Sequence, residues 1–129
     1  MATVTAIILA RNEEQHIAEC IKSIQCADEI LVIDDGSTDK TVELAEGLGA
    51  KVIPHPLNND WSQQRRFGIS QASCDWILFI DSDERVSPEL VKSIKKAIQG
   101  ELKAYWLRRY NLFHHNQATH GVVRPDKVL

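Results

Sequence analysis

No glycine-rich phosphate loop occurs in these 129 residues. A GxGxxG does not follow the first apolar run and a GxxxxGK[ST] occurs nowhere, so a dinucleotide fingerprint and a P-loop are both excluded. Cysteine is scarce. Cys20, Cys26 and Cys74 cannot all pair, none belongs to a CxxC, and no zinc site is visible. Such usage fits reduced thiols in a cytoplasmic protein. Cys20 and Cys26 are spaced to face different ways on a helix. No apolar run is long enough to span a bilayer. Met1-Ala2-Thr3-Val4 lacks the basic start and long apolar core of a secretory leader. Nor is there a surplus of positive charge: 15 Lys and Arg face 18 Asp and Glu, a net charge of −3. A general nucleic-acid binder needs the opposite balance. Repeats, low-complexity stretches and linkers are also missing, so the chain reads as one domain large enough to bury a core.

What is there is an alternation of apolar runs and helical patterns. Thr3–Ala10 reads as a buried strand that ends in Arg11-Asn12-Glu13-Glu14. Asn12 is the expected cap of a helix carrying Ile17, Cys20, Ile21 and Ile24 at helical spacing. Glu29–Ile33 is a second strand. Ser37 or Asp39 caps a helix over 40–48, closed by Gly47 and Gly49. Lys51–Ile53 is a short strand cut by Pro54 and Pro56. A polar turn at Asn58-Asn59-Asp60 precedes a helix over 61–72, and Trp76–Ile80 is the next strand. Ser87 and Pro88 open another helix that ends near Gly100. Lys103–Phe113 reads as a strand, and 114–129 shows no firm periodicity. Strands alternating with helices predict an α/β fold, a mostly parallel, Rossmann-like sheet with helices on both faces.

Two of the strands stop abruptly at carboxylates. Ile30–Ile33 runs into Asp34-Asp35-Gly36-Ser37-Thr38-Asp39, and Trp76–Ile80 runs into Asp81-Ser82-Asp83. In open α/β sheets, ligands bind outside the carboxyl ends of strands. In extended backbone, residues two apart point the same way, so Asp81 and Asp83 can converge on one ligand with Ser82 turned aside. Oxygen-only ligands suit Mg²⁺ or Mn²⁺ held together with substrate phosphates. The bland alternative is a solvated strand-to-helix turn. In the other cluster, Gly36 permits a positive φ. If the residues after it cap the helix, Asp34 and Asp35 stay free to face the crevice and accept hydrogen bonds from a base or ribose. The alternative there is an acid-rich turn with a purely structural role, which is the role expected of Asp39.

Four segments in order, Val4–Glu14, Ile30–Thr41, Gln64–Ala72 and Asp75–Asp83, resemble the N-terminal half of a family 2 glycosyltransferase of the GT-A fold. Tyr105–Tyr110 and Gly121–Asp126 resemble more narrowly the bacterial lipopolysaccharide-core glucosyltransferases of that family. The resemblance implies an inverting transfer from a UDP-sugar to a glycan or lipid-linked acceptor. It implies a cytoplasmic place at the inner face of the membrane, with peripheral membrane association. By this resemblance Asp35 contacts uracil with Asp34 beside it, and Ala10, Arg11 and Glu13 line the nucleotide pocket. Arg65 or Arg66 supplies a basic donor contact, though the pair also reads as an exposed basic helix face. Asp83 is the direct Mn²⁺ or Mg²⁺ ligand, with Asp81 nearer the ribose or sugar.

The family's general base is an Asp or Glu further along, often in an ED or HE pair, and no such pair follows Asp83. Asp126 is the only acid after Glu101. It is the candidate base, set against the reading of Asp126 as a loop residue. The larger expectation is that residues 1–129 are the donor half of the domain, with 101–129 beginning the acceptor side, and that an apolar edge drives self-association. His114, His115 and His120 read as a solvated tail. Arg108, Arg109 and Arg124 read equally as an acceptor contact or ordinary surface, and Trp61 and Trp106 as core, set against stacking on a sugar. Two other functions remain: a non-catalytic nucleotide-sugar-binding module, favoured by the missing base, and a phosphatase of the haloacid dehalogenase kind. In the latter the motif normally continues to Gly-Thr, whereas Glu84-Arg85 follows here.

Overall fold

The computed structural model describes residues 2–101, 103–113 and 116–126, with side chains described up to residue 107, Trp106 excepted. Its elements are β1 (Val4–Ala10), α1 (Ile17–Ser23), β2 (Glu29–Asp34), α2 (Thr41–Gly47), β3 (Lys51–Pro54), α3 (Trp61–Gln71), β4 (Trp76–Asp81), α4 (Pro88–Ala97), β5 (Tyr105–Phe113) and β6 (Asn116–Asp126). The first four strands form one parallel sheet in the order β3-β2-β1-β4, and β5 and β6 form an antiparallel pair. This is the Rossmann-like α/β architecture that the alternation of runs predicts.

The two-residue period of β1 sorts the core. Val4, Ala6, Ile8 and Ala10 belong to one cluster with Ile17, Cys20 and Ile21 of α1, Ala45 of α2 and the inner side of α4. Ile7, with Leu9 beside it, belongs to a second cluster that holds Phe67 and Ile69 of α3. The central strands are apolar on both sides because helices cover both faces. Gly68 lets α3 approach closely, since a Cβ there would meet Ile7 Cγ2 at 3.0 Å. Among the described residues, no helix is long and apolar enough to cross a membrane.

Strand order and register place the site. The chain builds outward through β2 and β3, then returns to the other side of β1 with β4. Ala10 at the end of β1 is level with Asp34, and Leu9 with Asp81. Both acidic strand ends therefore flank the end of β1, where the direction of strand addition reverses.

Several local expectations are corrected. Asn12 caps no helix: it stands at φ 51°, and α1 begins later, after His16, which makes no side-chain cap. Ser37 turns back to Asp34 instead of capping α2, whereas Asp39 accepts from Thr41 N–H as expected. Pro54 ends β3 without cutting it short, as an edge strand allows. Residues 116–126 form a strand paired with β5, although their sequence shows no clean alternation. The positive φ expected at Gly36 is present, at 68°. So is the Ser87 cap, whose Oγ accepts from Leu90 N–H at 3.1 Å. Cys20 is buried and Cys26 exposed. His114 and His115 lie outside the described residues, as do the side chains of Trp106, Arg108, Arg109, His120, Arg124 and Asp126.

Candidate functional site

A cleft of about 590 Å³ opens at the carboxyl ends of the parallel strands. The end of β1 supplies Leu9, Ala10, Arg11 and Glu13, and the end of β2 supplies Asp35. Leu57 follows β3; Trp61, Gln64 and Arg65 come from the start of α3; Asp81, Ser82 and Asp83 close the end of β4. Thus Ala10, Arg11, Glu13, Asp35, Arg65, Asp81 and Asp83 are brought together. Asp34 and Arg66 are not among the lining residues.

At the β2 end the carboxylates are already engaged. Asp34 is only 4% exposed. One of its oxygens accepts from Ser37 N–H at 2.9 Å and the other from Ser37 Oγ. Asp34 is therefore not free to face the crevice, which corrects the expectation of a ligand-facing pair. Burying a carboxylate is costly unless hydrogen bonds satisfy it, and Ser37 does so. Asp35 is the residue that faces the cleft. Its Oδ1 accepts from Leu57 N–H at 2.9 Å, and its Oδ2 lies 3.5 Å from the Arg11 guanidinium.

The rest of this end forms a reciprocal clasp with the loop after β1. Asn12 Oδ1 accepts from Thr38 N–H at 2.7 Å, and Ser37 Oγ accepts from Asn12 N–H at 2.9 Å. Thr41 Oγ1 accepts from Glu13 N–H at 2.8 Å. Asp39 accepts from Glu14 N–H at 3.2 Å, and Glu14 accepts from Lys40 N–H at 3.2 Å. Desolvation pushes the Asp39 carboxyl up, but hydrogen bonds from Thr41 and the Glu14 N–H hold it below its usual range. The clasp fixes Arg11 and Asp35, which flank it, on one wall. Sequence reasoning missed it, although paired Asn, Ser, Thr and Asp residues in two strand-end loops are its signal.

The β4 end is built differently. Asp81 and Asp83 are exposed at the cleft and Ser82 between them is buried, although the backbone is not the extended chain that the sequence reading assumed. The backbone here is a turn: Glu84 N–H donates to Asp81 C=O at 2.9 Å, and Glu84 Oε1 accepts from Asp81 N–H at 2.8 Å. Beneath it, Cys20 Sγ–H donates to Asp81 C=O at 3.5 Å. Burial pushes the Cys20 thiol up to about 12, and the negative charges of Glu84, Asp83 and Asp81 add to the shift.

On the α3 side, Asp60 caps the helix by accepting from Gln63 N–H at 3.0 Å. Gln64, 2% exposed, locks this end to the strand exit. Its Nε2 donates to His55 C=O at 2.7 Å, and its Oε1 lies 2.7 Å from His55 Nδ1. The His55 ring stacks on Phe67 with centroids 3.8 Å apart. Trp61, expected in the core, is 57% exposed beside the cleft. Nothing in its apolar character foretold this. Its place at the first helical position, at the open end of α3 next to the strand exits, is the signal that could have.

Residues 5–123 match the family model described as "Glycosyl transferase family 2". The chain belongs to that family. It is 42% identical to an uncharacterized glycosyltransferase of Rickettsia typhi, an alignment covering 100% of this chain and 46% of that one. It is 33% identical to the lipopolysaccharide core biosynthesis glycosyltransferase LpsC of Rhizobium meliloti over 67% of this chain and 33% of that one. Glucosyl-3-phosphoglycerate synthase of Mycobacterium tuberculosis, in complex with Mn²⁺, UDP and glucosyl-3-phosphoglycerate, superposes with a TM-score of 0.66 at 27% identity. That match covers 83% of this chain and 43% of the synthase. The chain thus spans about half the length of such relatives. The parallel sheet with flanking helices matches these GT-A neighbours.

Whether the family 2 site suits a divalent cation can be judged from its donors. Among the described residues no three His, Cys, Asp or Glu side chains converge as a cage. Two exposed carboxylates at one turn fit a Mg²⁺ or Mn²⁺ ion that keeps its other positions for water and substrate phosphate, and they do not fit a closed structural site.

Proposed function

We propose that this chain is the donor-binding half of an inverting glycosyltransferase that moves a sugar from a UDP-sugar to a glycan or lipid-linked acceptor. One observation carries the proposal: Asp35 and the Asp81/Asp83 pair stand at the ends of strands flanking β1, around one cleft. Asp35, fixed by Leu57 N–H and Arg11, is placed to accept a hydrogen bond from the nucleobase or ribose. Asp83 and Asp81 would hold Mn²⁺ or Mg²⁺, which when bound offsets the charge of a diphosphate. Arg65 reaches the same cleft from α3 and would contact that diphosphate. Arg66 and Asp34 are assigned no donor contact.

The transfer is an in-line displacement. The acceptor hydroxyl oxygen bonds to the anomeric carbon as the bond from that carbon to the diphosphate oxygen breaks. UDP leaves with the electron pair, and the hydroxyl proton passes to a general base. A single displacement inverts the anomeric centre. Among the described residues that line the cleft, Glu13 is the acid assigned to neither the nucleoside nor the metal. Asp126 stands at the end of β6, paired with Tyr105, and is the base candidate on the acceptor side. The second reading is a nucleotide-sugar-binding module without transfer. An acceptor in the cell envelope, reached from the inner face of the membrane, belongs to this proposal and draws support from the likeness to LpsC.

Titration with UDP and UDP-glucose, with and without Mn²⁺, on wild type and Asp83→Ala tests the donor site. Metal-dependent binding lost in the variant supports it. No nucleotide binding under any condition would sink both readings. Release of glucose from UDP-glucose, or its transfer to an acceptor, separates the enzyme from the binder. The chain alone is expected to bind UDP with little or no transfer.

A further inference from the structure

Trp61 is the single exposed large hydrophobic side chain among the described residues, at 57%. It is also the only aromatic ring among the described residues that line the cleft. Leaving an indole in water forgoes the gain of burying it. An isolated exposed apolar residue needs no explanation. This one is held in place by four separate anchors. Asp35 Oδ1 accepts from Leu57 N–H at 2.9 Å, and Asp60 N–H returns to Leu57 C=O at 3.0 Å. Between them, Asn58 and Asn59 stand at φ 51° and 58°, a tight turn that only a few residue types accept. The Asp60 cap then starts α3 at Trp61, and one turn later Gln64 clamps the helix to His55. The carboxylate proposed to read the nucleoside thus also anchors the loop that delivers the indole.

From this geometry we infer that Trp61 is the stacking platform for the nucleobase of the bound donor, a specificity-determining residue of the cleft. The inference rests on the proposed UDP-sugar site. A planar base needs one flat apolar face and one polar edge contact. The end of β1 offers Leu9, Ala10 and Arg11, none of them a ring. Trp61 stands on the Asp35 side of the cleft through Leu57, while Asp81 and Asp83 lie across β1 on β4. The indole therefore belongs to the nucleoside end, and Arg65, one helical turn further along α3, lies on the same face of that helix toward the diphosphate. A platform carried on a held backbone loses less entropy on binding than one on a mobile loop.

The test is calorimetric titration of wild type, Trp61→Ala and Trp61→Phe with UMP, and with UDP plus Mn²⁺. UMP lacks the diphosphate, so its affinity isolates the nucleoside end. Base–aromatic stacking predicts that Trp61→Ala weakens UMP about five- to hundredfold while Trp61→Phe retains most of the affinity. Circular dichroism of both variants should match wild type, since the side chain is exposed. Equal UMP affinity in wild type and Trp61→Ala overturns the inference and leaves the donor-site reading standing. Loss confined to a UDP-sugar, with UMP and UDP unchanged, also overturns it, because the ring would then face the hexose. If wild type binds no uridine nucleotide at all, the donor-site reading fails first and this inference falls with it.

Discussion

The two acidic strand ends look alike in sequence and are opposite in construction. At the end of β2, Asp34 gives both oxygens to Ser37, Asp39 is held by Thr41 and Glu14, and Asp35 is braced by Leu57 and Arg11. At the end of β4, hydrogen bonds brace the backbone of the turn, and the Asp81 and Asp83 side chains stand exposed at the cleft. A carboxylate whose lone pairs are filled by neighbouring N–H and O–H groups fixes a loop. Two exposed carboxylates at one turn offer oxygen donors of the kind that Mg²⁺ or Mn²⁺ takes together with substrate phosphate. The first cluster therefore builds the wall of the cleft and leaves one acid, Asp35, facing inward. The second presents Asp81 and Asp83 at the cleft.

This contrast separates binding from stability, and substitution can break it. The largest effect is expected at the β4 end. Asp83→Ala should weaken Mn²⁺-dependent UDP binding roughly hundredfold or more, because metal-borne charge stabilisation is worth several kcal/mol. Its melting temperature should stay close to wild type, since an exposed substitution usually changes stability by less than about 0.5 kcal/mol. Asp34→Ala should behave the other way. It leaves Ser37 N–H without its acceptor in a part-buried place, at a cost of about 1–3 kcal/mol. Thermal denaturation should show that loss as a drop of several degrees, roughly 2–8 °C. Should Asp34→Ala melt like wild type and lose UDP affinity, or Asp83→Ala unfold, the division of labour is wrong.

The same contrast shows what was legible beforehand. The strands were plain, because runs such as Ile30–Ile33 and Trp76–Ile80 have no other stable place than a sheet covered on both faces. The Ser87-Pro88 start was plain because capping and the fixed φ of proline are local effects. Asp81 and Asp83 were legible as the acids at the end of the Trp76–Ile80 run, although a turn and not an extended strand carries them. Asn12 could not. Its side chain serves a loop that lies 26 positions away in sequence, and no local rule points there. Asp34 failed for a related reason: the partner that consumes its oxygens is Ser37, and a sequence cannot say whether a serine caps forward or turns back. Trp61 was misjudged because hydrophobicity predicts burial on average and says nothing about the side of the helix on which a given residue falls.

The α3 wall sharpens the comparison from a neutral direction. Arg65 and Arg66 are adjacent and both exposed, yet only Arg65 lines the cleft. Arg65→Ala should weaken UDP about tenfold or more, the scale of one charge-assisted contact, and Arg66→Ala should leave it unchanged. Calorimetric titration of both variants reads this directly. A larger loss in Arg66→Ala would mean that α3 is rotated in the bound state.

The smallest effect concerns the ground beneath the β4 turn. Cys20 is fully buried against Asp81 C=O, and burial, followed by the charges of Glu84, Asp83 and Asp81, pushes its thiol up to about 12 from 9.0. Because the folded value is the higher one, the native state keeps its proton where the unfolded chain has lost it. The stabilisation is fully present below pH 9 and is lost as pH rises from there toward 12. Denaturant melts of wild type and Cys20→Ala should therefore differ by a constant amount up to pH 9, with the gap shrinking above it. Taking the difference cancels the Lys and Tyr titrations common to both proteins. Iodoacetamide at pH 8 should label exposed Cys26 and spare Cys20. A gap that stays constant from pH 9 to 12 would show that Cys20 ionises normally. The β4 turn would then be open to water from below, and its carboxylates would be solvated on both sides instead of presented to the cleft alone.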